Sequence, residues 1–245
     1  MARFYVPHPQ IENEILKVEG DEVRHIRKVL RLRAGDDLSV FDGSGMEYEG
    51  TIVDERSSSV SIRVRNISSR RIESGLEITL AQSLLKGEKM DYLIQKATEL
   101  GVKRIVPFLS SRSIPLLEKS KRLARHRRWE KIAIGASKQC GRGVIPEIDP
   151  PGDYSQFLDS VPKSSLKLIL WENEGERLKS ALRRLRQVNE VFFIVGPEGG
   201  LSREEVEEGR RWDFIPVTLG ERILRSETAS LCLLSILQYE WGDIG

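Results

Sequence analysis

The chain has 245 residues, 39% of them apolar and 31% charged, and a formal net charge of +2. That is enough for one large or two modest domains with a real core, and the apolar runs are far too short to span a membrane as a helix. The start Met1-Ala-Arg-Phe-Tyr-Val6 lacks the apolar stretch of a secretion signal, and Cys140 and Cys232 stand outside any C-x-x-C spacing. A cytoplasmic protein is therefore expected, without a disulfide framework or zinc site. His8, His25 and His126 are too scattered to suggest a metal centre, so no metal is expected.

Charge is spread unevenly. Residues 1–71 carry 12 acids and 12 bases, residues 72–145 carry 7 acids and 15 bases, and residues 146–245 carry 18 acids and 12 bases. A cationic middle third on a nearly neutral protein points to a polyanionic partner.

The first seventy residues read as mostly β. The stretches 38–41, 47–53 and 60–64 alternate apolar and polar side chains, and Asp42-Gly-Ser-Gly45 supplies a hairpin turn between the first two. One short helix is expected over 21–30, with Val23, Ile26, Val29 and Leu30 on one face. Short strands with a helix suggest a small barrel, and the polar run 67–75 suggests its end. The domains are thus read as 1–71 and 72–245.

From Leu76 onward strands alternate with helices. Strands are expected over 76–83, 102–108, 166–171, 191–195 and 214–219. Helices are expected over 89–100, 120–139, near 177–186 and 203–211, and from Ser226 onward. This alternation argues for a mostly parallel sheet covered on both faces, an α/β fold. The helix over 120–139 opens with Lys119-Ser-Lys-Arg-Leu-Ala-Arg-His-Arg-Arg128, whose Arg125, Arg127 and Arg128 suit phosphate contacts; a solvated helix face is the plainer account.

Two loops carry the chemistry. The run 191–195 ends in Gly196-Pro-Glu-Gly-Gly200, and a helix follows at once, with Ser202 and Glu205 in capping-box spacing. A buried strand therefore delivers a glycine-rich backbone to the end of a sheet, where ligands of open α/β folds bind. The spacing is neither a dinucleotide fingerprint nor a P-loop. The second loop, Gly220-Glu-Arg-Ile-Leu-Arg-Ser-Glu-Thr-Ala229, holds an apolar pair, Ile223 and Leu224, amid charges. The pair either packs into the core or covers a ligand.

Gly196-Pro-Glu-Gly-Gly-Leu-Ser202 and Leu219-Gly-Glu-Arg-Ile-Leu-Arg-Ser-Glu-Thr-Ala229 together resemble the signature of the RsmE family of bacterial 16S ribosomal RNA uridine N3-methyltransferases, of the SPOUT class. His25-Ile-Arg-Lys-Val-Leu-Arg-Leu-Arg-Ala-Gly-Asp36, Phe41-Asp-Gly-Ser-Gly45, Gln95-Lys-Ala-Thr-Glu-Leu-Gly101, Ser111-Arg-Ser113 and Gln139-Cys-Gly-Arg142 fit in the same order along the chain. The resemblance implies an N-terminal PUA-like β-barrel, a C-terminal SPOUT-type sheet with a trefoil knot, and a homodimer acting on 16S ribosomal RNA or the small ribosomal subunit. It implies S-adenosylmethionine as cofactor, held by Trp171, Glu172, Gly196, Pro197, Glu198, Gly199, Gly200, Leu219, Gly220, Ile223, Leu224, Arg225 and Thr228. Trp171 and Glu172 enter by position after a strand.

Methylation at uridine N3 requires loss of the N3 proton, so a base and a cation facing the uracil oxygens are expected. Arg225 is the candidate cation. Glu198 and Glu227 are candidates for the base or an orienting group, and the sequence does not separate them; first-turn acids complementing a helix dipole would account for both as well. Arg3, Arg24, Arg27, Arg31 and Arg33 form a second RNA patch in the N-terminal domain. Two other readings keep the scaffold: a 2′-O-ribose methyltransferase, and a non-catalytic RNA-binding protein.

Overall fold

The computed structural model describes residues 1–69, 73–113, 119–163 and 165–245. The expected boundary at 71/72 falls outside the described residues. The chain divides into two compact units, 1–73 with 137–145, and 74–136 with 146–245. The segment 137–145, read from sequence as part of the C-terminal domain, thus groups with the N-terminal unit.

The first unit holds a six-stranded sheet. Its strands are β1 (Ala2–Tyr5), β2 (Ile11–Glu12), β3 (Ile15–Glu19), β4 (Asp37–Phe41), β5 (Met46–Glu55) and β6 (Ser59–Ser69), in the order β1-β4-β5-β6-β3-β2. Only β1 and β4 run parallel; the other pairs are antiparallel. Phe4 of β1 and Leu16 and Val18 of β3 share one buried cluster with Ile26, Val40 and Ile62, although three strands separate β1 from β3 in pairing order. The sheet therefore curls round its core, which is how so short a chain closes an apolar interior. Helix α1 (Asp21–Arg24) continues as a π-turn over His25–Val29 and plugs that core with Val23 and Ile26. Strands β1 to β3 were not expected from sequence.

Arg3 was expected to face RNA; the structure corrects this. Its side chain is 12% exposed, its Nε donates to Glu47 Oε1 at 3.0 Å, and its Nη1 donates to the carbonyls of Ser137 at 3.0 Å and Arg142 at 2.9 Å. Its guanidinium also lies 4.1 Å above the Phe41 ring. Arg3 ties 137–145 onto the sheet, assisted by the Arg142–Glu73 ion pair at 2.7 Å.

The second unit is a parallel sheet. Its strands are β7 (Glu77–Ser83), β8 (Arg104–Leu109), β9 (Glu147–Ile148), β10 (Gly152–Asp153), β11 (Leu166–Leu170), β12 (Glu176–Arg177), β13 (Glu190–Val195) and β14 (Ile215–Thr218). The order is β10-β8-β7-β13-β11-β14-β12, with β9 on β8, and every pairing is parallel. Its helices are α2 (Lys89–Glu99), α3 (Lys119–Cys140, whose last residues group with the first unit), α4 (Tyr154–Asp159), α5 (Leu178–Arg183), α6 (Arg203–Arg211) and α7 (Ser226–Trp241). The central strands are buried on both faces, so β7 reads ITLAQS and β13 reads VFFIV with almost no exposed position. Helix α4, missed in the sequence, buries Tyr154, Phe157 and Leu158 in only two turns. No described helix is long and apolar enough to cross a membrane.

Replacing Arg3 with Met should cost on the order of 3 kcal/mol, because a buried carboxylate and two carbonyls lose their donor. Urea unfolding measures this; a wild-type midpoint would contradict the structural role assigned to Arg3.

Candidate functional site

Strands β13, β11 and β14 are neighbours, and the loops leaving their carboxyl ends wall one cleft. Leu170, Trp171 and Glu172 come from the first loop, Val195, Gly196, Gly200 and Leu201 from the second, and 217–224 with Ser226 and Ala229 from the third. The cleft is narrow, with a free volume of about 130 Å³, and its mouth is open to solvent. Two glycines shape the wall. A Cβ on Gly196 would lie 2.9 Å from the Leu201 side chain, and one on Gly200 would lie 2.8 Å from Glu172 Oε1. Gly200 also has φ +69°, a conformation side chains disfavour.

A buried polar network beneath the cleft fixes the loops to one another. Ser226 Oγ donates to Gly196 O at 2.6 Å. Gln82 Nε2 donates to Ser226 Oγ at 3.0 Å and reaches Gly196 O at 3.3 Å. Ser230 Oγ donates to Gln82 Oε1 at 2.6 Å, which orients the amide. Gln82 and Ser230 have no exposed surface. Sequence reasoning missed all three; the available signal was Gln82 near the end of a buried strand.

Beyond the cleft, Glu205 closes the expected capping box with Ser202 and also accepts from Ser111 N at 2.7 Å. Arg112 Nη1 donates to Gly199 O at 3.1 Å. The loop after β8 is thereby fastened to the glycine loop.

Of the residues expected at the cofactor, Trp171, Glu172, Gly196, Gly200, Leu219, Gly220, Ile223 and Leu224 lie on the cleft wall. Ile223 is 85% exposed, so the pair is not ordinary core packing, and Ile223 stands at the rim of the cleft. Five residues lie off the wall. Pro197 is buried and its carbonyl accepts from Gly200 N at 2.9 Å, closing the turn. Glu198 points away, accepting from Lys89 Nζ at 2.9 Å and Lys86 N at 3.2 Å. Gly199 faces Arg112 across the loop. Arg225 is the extended, exposed residue that starts α7, between the wall residues Leu224 and Ser226. Thr228 is exposed on the first turn of α7.

The three candidates for proton chemistry differ in setting. Burial pushes the Glu198 carboxyl up, but the Lys89 hydrogen bond and the backbone donors outweigh it, leaving it below the usual glutamate range. Glu227, in the first turn of α7, has Oε2 buried without a hydrogen-bond partner. Arg225 forms no ion pair among the described residues.

The expected RNA cations divide similarly. Arg27 and Arg33 both approach Glu55, at 3.6 and 3.2 Å. Arg128 pairs with Asp91, while Arg127 is exposed and Arg125 half-buried on α3. Arg24 and Arg31 are exposed with no ion pair among the described residues.

The wall suits S-adenosylmethionine. It joins apolar residues to close-approach glycines, and the Trp171 indole Nε1 is buried in it without a protein acceptor. Comparison with known proteins agrees. A profile for an RNA methyltransferase domain matches residues 72–238, and one for an RNA methyltransferase PUA domain matches 18–65. Ribosomal RNA small subunit methyltransferase E of Buchnera aphidicola subsp. Acyrthosiphon pisum is 33% identical, covering 99% of this chain and 95% of its own. The chain belongs to the ribosomal RNA small subunit methyltransferase E family. The Bacillus subtilis member is 30% identical, covering 98% of this chain and 97% of its own. The crystal structure of the Neisseria gonorrhoeae member bound to S-adenosyl methionine is 34% identical, with a TM-score of 0.91 over 100% of both chains. A methyltransferase from Legionella pneumophila with bound cofactor is 36% identical, with a TM-score of 0.90 over 98% of both chains.

Gly200→Val should weaken S-adenosylmethionine binding more than tenfold, since strain and lost space together exceed about 1.4 kcal/mol. Gly199→Ala, whose Cβ would meet only ordinary contacts with Arg112 at 3.6 Å, should stay within about threefold of wild type. Calorimetry on both variants checks this, and equal losses would contradict the two-faced loop.

Proposed function

We propose that this protein transfers a methyl group from S-adenosylmethionine to N3 of a uridine in the 16S ribosomal RNA of the small ribosomal subunit. The observation that carries this reading is the three-loop cleft at the carboxyl edge of the sheet, in a chain of this family. When bound, S-adenosylmethionine supplies a methyl group activated on a sulfonium. The chain's own residues would do the rest. Gly196 and Gly200 let the backbone approach closely, and Leu219, Ile223 and Leu224 frame the adenine. The carbonyl of Gly196 already accepts two donors, so recognition of the adenine edge would fall to the backbone of 217–224.

Uridine N3 is a poor nucleophile until its proton leaves. Arg225, exposed beside the cleft wall, would meet the charge that grows on the uracil oxygens. Glu227, with one oxygen unpartnered, would take or orient the proton. Glu198 fits that role less well: its carboxylate is held by Lys89 and Lys86, and its lowered pKa makes it a weaker base. Its better role is to pin the glycine loop to α2.

The reading extends to a homodimer with cytoplasmic ribosomal RNA as its partner. An apolar groove between α5 and α7, with Leu178, Leu182 and Ile236 in its wall, and Tyr239 exposed nearby support a second copy on that face. The trefoil knot of the SPOUT class belongs to the same reading, supported by β13 inserting between β7 and β11.

Incubating the protein with unmodified small-subunit ribosomal RNA and S-adenosylmethionine, then analysing nucleosides by mass spectrometry, tests the reaction. It should give 3-methyluridine; a ribose-methylated nucleoside or no product would overturn it.

Arg225→Ala should lower single-turnover methyl transfer on the order of 100-fold at saturating cofactor and RNA. Lys there should restore part of the loss. Glu198→Gln should leave that rate within about threefold while weakening cofactor binding. A normal rate in Arg225→Ala, or a collapse in Glu198→Gln, would reverse the roles.

A further inference from the structure

In the first unit the π-turn over His25–Val29 presents two opposite faces. Leu30 N donates to His25 O at 3.0 Å and Leu32 N to Ile26 O at 3.0 Å, a wider winding than an α-helix. Its inner face is anchored: Ile26 is fully buried, and His25 meets the Phe4 ring edge-on with centroids 5.5 Å apart. Its outer face exposes Val29 by 64% and Leu30 by 44%. Arg31 follows with φ +58°, left-handed backbone that a branched side chain rarely adopts. Wide turns and strained non-glycine residues concentrate at functional positions.

Several other cations of the unit are held by acceptors. Arg3 is buried in a structural network, and Arg27 and Arg33 share Glu55. Arg24, Lys28 and Arg31 are exposed and form no ion pair among the described residues. The order Lys28-Val29-Leu30-Arg31 therefore sets an apolar pair between two uncompensated positive charges.

We propose that Val29 and Leu30 form an apolar wedge that packs against unstacked bases of single-stranded RNA, while Arg24, Lys28 and Arg31 hold the flanking phosphates. The proposal rests on the RNA methyltransferase reading above and says which face of the first unit meets the RNA and by what chemistry. A base stack is an apolar surface bordered by phosphates, so an apolar pair flanked by cations is its complement. An anionic membrane or an acidic protein surface offers similar chemistry; RNA is the favoured occupant because the unit matches an RNA methyltransferase PUA domain. Methylation at N3 calls for an unstacked base. Uridine N3 lies on the Watson–Crick edge, so the target base must be unpaired and drawn out of its stack, at the cost of its stacking contacts. Inserted aliphatic side chains offset that cost by replacing lost stacking contacts. The anchored turn holds the pair in place beforehand, so little ordering is left for binding.

The test uses the full chain and a small-subunit ribosomal RNA fragment carrying 2-aminopurine beside the target uridine. Wild type should raise the 2-aminopurine fluorescence on binding. The double variant Val29→Ser, Leu30→Ser alters only exposed positions and should keep the wild-type melting temperature and S-adenosylmethionine affinity. It should lose most of the fluorescence rise and bind RNA roughly tenfold more weakly, with an unchanged salt slope. Arg24→Ala with Lys28→Ala should show the opposite pattern, lowering the log–log salt slope by about 1.4 while keeping the fluorescence rise at saturation. Wild-type fluorescence and affinity in the serine variant, with methylation intact in wild type, would overturn the wedge alone. A serine variant that binds RNA normally but loses its oligomeric mass would overturn it in favour of a contact between copies. A wild-type protein that binds no RNA would overturn both the wedge and the reading on which it rests.

Discussion

The carbonyl of Gly196 is the point on which the cleft depends. It ends strand β13 and begins the glycine loop, and it accepts hydrogen bonds from Ser226 of α7 and Gln82 of β7. Three segments distant in sequence are thus fastened at one buried atom. Gln82, Ser226 and Ser230 satisfy one another almost completely, so the network fixes one arrangement of the loops when intact and is costly when one member is lost. The loop above it can then be nearly bare backbone and still hold a shape. Its outer side is held by Arg112 at Gly199 and by Lys89 at Glu198, leaving its inner side free for a ligand. The segment with Ile223 is held by an exposed contact alone, Arg177 Nη2 to Glu221 Oε1 at 3.4 Å.

Much of this was legible in the sequence because it follows from local rules. The buried parallel strands show as unbroken apolar runs, the start of α6 as a capping box, and the glycine loop as a cluster of glycines between the two. Helices α2, α3 and α6 and strands β7, β11 and β13 lie within a residue or two of where periodicity puts them. Other elements were not legible. Strands β1 to β3 and helix α4 were not read from the sequence, although β14 and α5, as short as β1 and α4, were; the existence of such elements is decided by tertiary pairing.

The site shows the same division. Sequence position identified the three loops but not which residues face inward. Gly199 and Gly200 are adjacent, yet one faces Arg112 and the other the cleft, because the turn closed at Pro197 rotates the chain between them. Glu198 belongs to a clamp rather than the wall, since its partner Lys89 lies 109 residues earlier in the chain. Arg3 was misread as an RNA contact for a like reason: its acceptors at Ser137 and Arg142 are remote in sequence. A lone arginine in a strand looks solvent-facing until the segment that covers it is known.

The account's central claim is that one cofactor sits over the ends of β13, β11 and β14 and touches the backbone of all three loops. Hydrogen–deuterium exchange of the full chain with and without S-adenosylmethionine tests it directly. Protection should rise together in the segments 170–172, 195–201 and 217–226, with the largest gain around Ile223, while the sheet of the first unit stays unchanged. Protection confined to the groove between α5 and α7, or absent from the glycine loop, would contradict the account.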